Sequence, residues 1–135
     1  MRVFVGGAFN GKRTYVKQLV IDRDVQWIEC AEVDDLPQAV SKTIVVAGLE
    51  NFVERHLERP EEIVIEDVMR KLTSYREHSD VIVIVTENGR GIVPIVAETR
   101  ELRDRCGRLL QQIFKEATEV TRIWYGLTET LKQND

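Results

Sequence analysis

The sequence predicts an α/β fold with a mostly parallel sheet flanked by helices. Short runs of β-branched residues alternate along the chain with longer stretches of helical periodicity. Thr43–Ala47 (TIVVA) is a continuous apolar run, and Asp80–Thr86 (DVIVIVT) is the most strand-like segment of the chain. Such runs are typical of strands that a parallel sheet buries on both faces. Strands that are joined through helices are expected to pair in parallel with right-handed crossovers.

Local patterns predict each element of the first half of the chain. A strand over residues 2–5 enters a pair of glycines, and a helix over residues 12–21 follows. The apolar residues of that helix, Val16, Leu19 and Val20, share one side. The elements expected next are a strand over 25–30, a short helix over 34–41, the strand Thr43–Ala47 and a short helix over 51–57.

The second half begins with a helix signal at Pro60, which suits the first position of a helix. Glu61 and Glu62 favour its first turn, and the apolar residues Val64, Val68 and Leu72 recur four residues apart. Pro94 separates the strand Asp80–Thr86 from the longest helix, over residues 96–117, and a last strand is expected over 119–125. The apolar face of the long helix comprises Leu102, Cys106, Leu109, Leu110, Ile113 and Ala117.

Length and composition exclude several classes of protein. The chain has 135 residues, which is the size of one domain over residues 1–135. Its 19 Lys and Arg against 23 Asp and Glu give a net charge of −4, which argues against a nucleic-acid partner. Cys30 and Cys106 cannot form a disulfide framework, so a reduced, cytoplasmic location is expected. The apolar runs are too short to span a membrane, and the N-terminus does not resemble a secretory signal.

The strongest chemical signal is the segment GGAFNGK between the first strand and the first helix, which fits the P-loop pattern G-x-x-x-x-G-K. Glycines let backbone N–H groups turn towards phosphate oxygens, and the following helix directs its positive end at the anion. Lys12 is the expected catalytic residue, reaching the outer phosphates. The alternative is a glycine-rich turn without a ligand. The expected nucleotide-binding residues are Gly6, Gly7, Ala8, Phe9, Asn10, Gly11, Lys12, Arg13 and Thr14.

Residue 13 departs from the P-loop pattern. The motif ends in Ser or Thr, whose hydroxyl helps to hold Mg²⁺, but this chain has Arg13. Thr14 lies one position later, and because a helix turns by about 100° per residue its side chain points elsewhere. Arg13 either contacts a phosphate or occupies the space of the metal. Both alternatives put ordinary Mg²⁺ binding in doubt, so no metal-ligating residue is assigned.

With the loop and the C-terminal third taken together, the chain resembles the bifunctional adenosylcobinamide kinase/adenosylcobinamide-phosphate guanylyltransferase family. VFVGGAFNGKR resembles the opening strand and GGARSGKS-type loop of that family. VIVIVTENGRGIVP resembles its VTNEVGxGIVP segment, with one residue fewer, and RELRDRCGRLLQQIFKEATEV resembles its FRDxAGRxNQxLAxxADEV helix. The matches in that helix are Arg103, Asp104, Gly107, Arg108, Gln111, Glu119 and Val120.

This resemblance implies a RecA-like P-loop fold, with ATP or GTP as donor and a corrinoid as acceptor in cobalamin biosynthesis. It implies two reactions: phosphorylation of a corrinoid hydroxyl, and guanylyl transfer through a histidine. It also implies a homo-oligomer, for which a trimer is the suggested form. Two departures follow. No histidine precedes His56, and the family's acidic residue at the end of the middle strand is replaced by Ala47, with Glu50 the nearest carboxylate.

The sequence therefore predicts a kinase-type, nucleotide-binding member of the family that lacks the guanylyltransferase step. The alternative is a relative that binds a nucleotide or corrinoid without catalysis. Glu87 and Asn88 follow a buried strand and form either a substrate loop or a polar turn. Arg103 and Asp104 are expected to form an ion pair, either within the chain or at a subunit interface, and Cys106 is expected in the core. Trp27 and Trp124 are expected to be packed side chains, with stacking on a base as the alternative, and His56 and His78 are not expected to form a metal site.

Overall fold

The computed structural model describes residues 1–7, 11–86 and 97–134. Six strands and four helices alternate along these residues, which confirms the α/β class. In chain order they are β1 (Arg2–Gly6), α1 (Lys12–Leu19), β2 (Val25–Glu29), β3 (Thr43–Ala47), α2 (Leu49–Arg55), α3 (Glu61–His78), β4 (Asp80–Thr86), α4 (Ala97–Glu116), β5 (Glu119–Trp124) and β6 (Leu127–Gln133).

The strands form one sheet with the order β2-β3-β4-β1-β5-β6. All neighbouring pairs are parallel except β5 with β6. From β1 the chain crosses to the distant edge strand β2 and then returns through β3 and β4. β1 therefore lies at the point where the strand order reverses, with β4 on one side and β5 on the other. The carboxyl ends of strands at such a point form the usual ligand crevice of an open α/β sheet.

The two faces of the sheet carry separate apolar clusters. One cluster packs α2, α3 and α4 against alternate residues of the central strands, such as Val3 and Val83. The opposite cluster packs α1 through Val16 and Val20 against the intervening residues, such as Phe4 and Ile84. Residues 44–47 of β3 and 81–85 of β4 are apolar without interruption, because both faces of these strands are covered. Leu19 does not join Val16 and Val20, since its side chain is 38% exposed at the end of α1.

The prediction of a helix over residues 34–41 is wrong. The chain instead forms one 3-10 turn at Cys30–Glu32 and then runs without a helix to β3. Pro37 disfavours a helical conformation for the residue before it. Long-range hydrogen bonds also keep this backbone in a non-helical conformation. The side chain of Gln26 bonds to the backbone of Gln38 and Val40. Tyr75 Oη donates to the carbonyl oxygen of Pro37.

The chain does not end at the strand predicted over 119–125. Tyr125 and Gly126 form a two-residue turn with φ of 49° and 79°, and β6 returns antiparallel to β5. Positive φ at both central positions is the geometry that β-hairpins favour. The turn also corrects the packing predicted for Trp124, whose side chain at the end of β5 is 57% exposed.

The hairpin is tied to the longest helix by one side chain. Lys132 Nζ donates to the carbonyl oxygens of Phe114 and Lys115, at 2.9 and 3.0 Å, in the last turn of α4. A cation at that position satisfies carbonyl groups that have no partner within the helix. In the part of the chain that the structure describes, no helix combines the length and the apolar composition that crossing a bilayer requires.

Candidate nucleotide-binding site

The glycine-rich loop follows β1 at the reversal point of the sheet, as its motif predicts. Ala8, Phe9 and Asn10 lie outside the described residues, as do Glu87 and Asn88. The described part of the loop comprises Gly6, Gly7 and Gly11, with Lys12 opening α1. The site is therefore built from the two ends of the loop and from the neighbouring strand ends.

Two of the glycines are required by the backbone. A Cβ atom at Gly6 would lie 2.7 Å from the carbonyl oxygen of Ile123, so β1 and β5 approach too closely there for any side chain. Gly11 has a φ of 73°, a conformation that L side chains rarely adopt, and it directly precedes the first helical residue. The loop therefore leaves the sheet and enters α1 at positions that suit only glycine.

Lys12 is buried at the base of the loop, with 3% of the residue exposed. Its Nζ donates to the carbonyl oxygen of Gly7 at 2.5 Å. A charged amine is seldom buried unless polar atoms receive it. The loop backbone therefore already holds the ammonium group at the carboxyl end of β1, where an anion entering the crevice would meet it.

Arg13 points across to the edge of the sheet and pairs with Glu29, the last residue of β2. Its Nε donates to Oε1 at 2.6 Å and its Nη2 donates to Oε2 at 3.1 Å, which is a two-pronged ion pair. This pair raises the pKa of Arg13 and lowers the pKa of Glu29 below its usual value, in both cases mainly through the hydrogen bonds. Both groups are therefore charged at neutral pH.

Glu29 ends β2, so this ion pair lies on the side of the sheet where the carboxyl ends of the parallel strands meet and where the loop follows β1. Trp27 Nε1 also donates to Oε1, at 3.1 Å, and the ammonium of Lys17 lies 5.4 Å from the Trp27 ring centre. Glu29 stands opposite Ala47 in the β2–β3 register. A Cβ atom at Gly48 would lie 3.5 Å from Glu29 Oε2. The charged pair therefore lies beside the end of β3.

The residues at this edge do not fit an ordinary magnesium site. Ala47, which replaces the acidic residue of the resembled family, is fully buried and offers no ligand. The position of the hydroxyl ligand is taken by Arg13, and the charge of Glu50 acts on that guanidinium by raising its pKa. Within residues 1–7, 11–86 and 97–134, no group of three or more His, Cys, Asp or Glu side chains is placed to hold a metal ion.

A cavity of about 420 Å³ lies between α2 and α4 and is also lined by Val5 of β1. Its wall is mainly apolar, and the described residues contribute four polar or charged side chains to it, Glu50, Thr86, Arg103 and Gln111, of which Thr86 ends β4. Cys106 also lines the cavity, and burial raises the pKa of its thiol to about 12, so it is a protonated core residue rather than a nucleophile.

The remaining candidate residues have structural surroundings. Arg103 Nη2 and Asp104 Oδ1 lie 3.5 Å apart, as the predicted ion pair requires. His56 stacks near Phe52, with ring centres 4.6 Å apart, and His78 ends α3. Trp27 packs against the cluster under α1. Thr14 is exposed on α1, so its predicted role remains a prediction.

Glu29 is the residue that the sequence reasoning missed. The predicted strand covers residues 25–30, so Glu29 would lie within it. In the structure β2 ends at Glu29. A carboxylate at the carboxyl end of a strand was the available signal. Its bond to Arg13 depends on how α1 packs beside β2, and no local pattern predicts that packing.

Comparison with known proteins shows the family to which the chain belongs. A model of the cobinamide kinase / cobinamide phosphate guanyltransferase family matches residues 4–131. A solved structure from a structural study of Pyrococcus horikoshii OT3 is similar in fold, with a TM-score of 0.60 and 7% identity, and the match covers 100% of this chain and 87% of that one. The search of curated proteins gave no match.

The family match extends from β1 through the loop and the crevice to β6, and so includes every described residue discussed above from Gly6 to Arg103. Membership supports a function of the cobinamide kinase and guanyltransferase type in cobalamin biosynthesis. The chain belongs to the cobinamide kinase / cobinamide phosphate guanyltransferase family.

Proposed function

We propose that this chain transfers a phosphoryl group from ATP or GTP to a hydroxyl group of a corrinoid, and that it lacks the guanylyltransferase step. The observation that carries the proposal is the buried ammonium of Lys12, held by the carbonyl oxygen of Gly7 at the carboxyl end of β1 in a member of this family. Phosphoryl transfer depends mainly on positioning and on charge stabilisation, and a preformed cation in a glycine loop supplies both.

In this proposal each part of the site has one role. The backbone N–H groups of residues 7–12 cradle the phosphates, and Lys12 stabilises the negative charge on the phosphoryl group as it moves. The mainly apolar cavity beside Thr86 and Arg103 receives the acceptor. The bond from the phosphorus to the bridging oxygen breaks, a bond to the acceptor oxygen forms, and a nucleoside diphosphate leaves. The proton of the acceptor hydroxyl passes to water.

The absence of guanylyl transfer rests on the connection between α1 and β2. The family's histidine lies in an extra strand and helix at that place, whereas residues 20–24 of this chain form only a short turn. The first histidine of the chain, His56, follows α2 and packs on Phe52. We therefore expect that incubation with labelled GTP leaves no acid-labile guanylyl adduct on the protein. Stoichiometric labelling of His56 or His78 would contradict this part of the proposal.

The test of the kinase reaction is a mass measurement of the product. Purified protein is incubated with adenosylcobinamide and either ATP or GTP, and the corrinoid is expected to gain one phosphoryl group. Lys12→Ala is the matched inactive variant, and Lys42→Ala, at the opposite end of the sheet, is the control that keeps activity. Light scattering on the same sample tests the homo-oligomer that the resemblance implies.

A second candidate is a relative that binds nucleotide or corrinoid but transfers nothing. The observation that favours it is the altered metal side, where Arg13 and Ala47 replace the expected hydroxyl and carboxylate. The same mass measurement decides between the two. Nucleotide binding by wild type with no change in corrinoid mass, in the presence of Mg²⁺ and in its absence, would establish the binding-only function.

A further inference from the structure

The metal side of the site poses a problem of charge. The phosphates of ATP or GTP bring several negative charges into the crevice, and Lys12 supplies one positive charge. Neither Arg13 nor Ala47 offers the oxygen ligand expected at the magnesium side of a P-loop in this family. We propose that the guanidinium of Arg13, positioned by Glu29, supplies the second fixed positive charge, so that the site binds nucleotide without a divalent cation. This inference rests on the proposed nucleotide-binding function.

The ion pair leaves Arg13 able to contact a phosphate. A guanidinium carries five N–H donors in a planar fork, and the bonds to Glu29 use two of them, one on Nε and one on Nη2. Three donors remain for an incoming anion. The Arg13 side chain is 40% exposed, so a phosphate in the crevice can approach it without displacing packed residues.

Glu29 acts as the positioning residue for this cation. Two bonds to one carboxylate fix both the distance and the plane of the guanidinium, which a single bond does not do. The carboxylate is itself held by the indole N–H of Trp27, so the three side chains form one connected group at the end of β2. Because Arg13 directly follows Lys12, the fork and the loop ammonium start from adjacent positions of α1.

The carboxylates nearby make the loss of Arg13 more serious than the loss of one contact. Glu29 and Glu50 both interact with its guanidinium. Without Arg13 these two carboxylates have lost their shared counter-ion at the edge where phosphates bind, and they repel the nucleotide. A divalent cation can then bridge the carboxylates and the phosphates. Arg13→Ser is therefore expected to create the magnesium dependence that wild type lacks.

The experiment is calorimetric titration with ATP and with GTP, in EDTA and in magnesium, on wild type, Arg13→Ser, Arg13→Lys and Arg23→Ser. Wild type is expected to bind with dissociation constants that agree within about twofold in the two buffers. Arg13→Ser is expected to bind at least about tenfold more weakly in EDTA and to recover part of that loss in magnesium. Arg13→Lys keeps the positive charge but loses the planar guanidinium. Its dissociation constant in EDTA should therefore lie between those of wild type and Arg13→Ser. Arg23, which pairs with Asp80 at the other end of the sheet, is the matched control.

Each outcome has a separate meaning. Wild-type binding that needs magnesium as strongly as Arg13→Ser overturns the inference and leaves the proposed function intact. Unchanged binding of Arg13→Ser in EDTA also overturns it, because the pair is then only a clamp between α1 and β2. If wild type binds neither ATP nor GTP, in EDTA or in magnesium, the proposed function itself is overturned. If Arg13→Ser does not fold, Arg13→Lys carries the comparison.

Trp27 gives a second readout that does not depend on affinity. In a Trp124→Phe background Trp27 is the remaining tryptophan of the chain, and its indole N–H shares Glu29 Oε1 with Arg13. ATP in EDTA should therefore shift its fluorescence emission. The same addition to Trp124→Phe/Arg13→Ser, at a concentration that saturates that variant, should give no comparable shift. An equal shift in both would contradict the inference.

Discussion

The hydroxyl of Tyr75 donates a hydrogen bond to the carbonyl oxygen of Pro37 and so connects α3 to the irregular segment between β2 and β3. Tyr75 is 1% exposed, and burial is the main cause that raises the pKa of its phenol to about 12. The segment that it holds has no helix or strand of its own between residues 33 and 42. One buried side chain thus fixes the course of a loop that leads into a core strand.

Tyr75→Phe should reduce the free energy of unfolding by about 1 kcal/mol, because the ring still packs but the carbonyl of Pro37 loses its donor. The measurement is a urea titration in which the midpoint falls and the slope stays constant. Tyr125→Phe is the matched control, since Tyr125 is 79% exposed in the hairpin turn. Equal midpoints for the two variants would show that the hydroxyl contributes nothing.

Gly6→Ala and Gly107→Ala should change stability in opposite directions. A Cβ atom at Gly6 meets a backbone oxygen at 2.7 Å, so β1 and β5 must separate, at a cost of about 1–3 kcal/mol. At Gly107, inside α4, nothing lies within 4 Å, and alanine should add about 0.5–1 kcal/mol through its higher helix propensity. Thermal unfolding of the two variants beside wild type tests this, and a stable Gly6→Ala would contradict the close approach.

Lys12→Ala should weaken nucleotide binding by about 1–3 kcal/mol, the usual scale for the loss of a charged hydrogen-bond partner. Calorimetric titration with ATP and GTP measures it, with Lys42→Ala as the control that binds like wild type. The ammonium is buried against the Gly7 carbonyl, so its removal is also expected to alter stability. A folded Lys12→Ala that binds nucleotide as well as wild type would exclude phosphate binding at this loop.

Stability should fall at alkaline pH because the protein buries two thiols. Burial raises the pKa of Cys30 and of Cys106 from 9.0 to about 12, so the native state keeps protons that the unfolded chain releases. Their contribution is complete below pH 9 and is lost as the pH rises towards 12.

Cys106→Ser removes one of these titrations. The free energy of unfolding, measured by urea titration above pH 9, should then fall less steeply with pH than in wild type. The difference in slope should be up to about 1.4 kcal/mol per pH unit for one group. The comparison uses the slope against pH and not the stability at one pH, since the substitution also changes packing. Identical slopes for wild type and variant would show that the Cys106 thiol ionises in the folded protein.

Much of the fold could be predicted from local patterns. The bounds of β3 and β4 coincide with the apolar runs that predicted them, because a strand covered on both faces tolerates few polar side chains. α3 begins at Glu61, one residue later than predicted, because Pro60 precedes the helix instead of being its first residue. The two acidic residues lie in its first turn and Val64, Val68 and Leu72 are buried, as predicted. The spacing of apolar residues in these elements follows directly from which of their sides are buried in the core.

The elements that were missed depend on features without such a pattern. β6 is exposed along nearly its whole length, so it carries no apolar repeat, and the turn at Tyr125 and Gly126 was its main signal. The segment over 34–41 follows hydrogen bonds to distant residues rather than its own propensity. At the site, the motif identified Lys12, but the partner of Arg13 is brought near only by tertiary packing.

The bonds from Lys132 to the last turn of α4 join the outermost strand to a core helix. When the hairpin opens, the carbonyl groups of Phe114 and Lys115 lose their donor. The last turn of α4 is then expected to fray more readily, because these two carbonyl groups no longer have the Lys132 ammonium as a partner. In amide hydrogen exchange these two segments would behave as one unit of local unfolding, although one is an exposed edge and the other a core helix. The C-terminal hairpin thus determines how long the end of α4 stays closed.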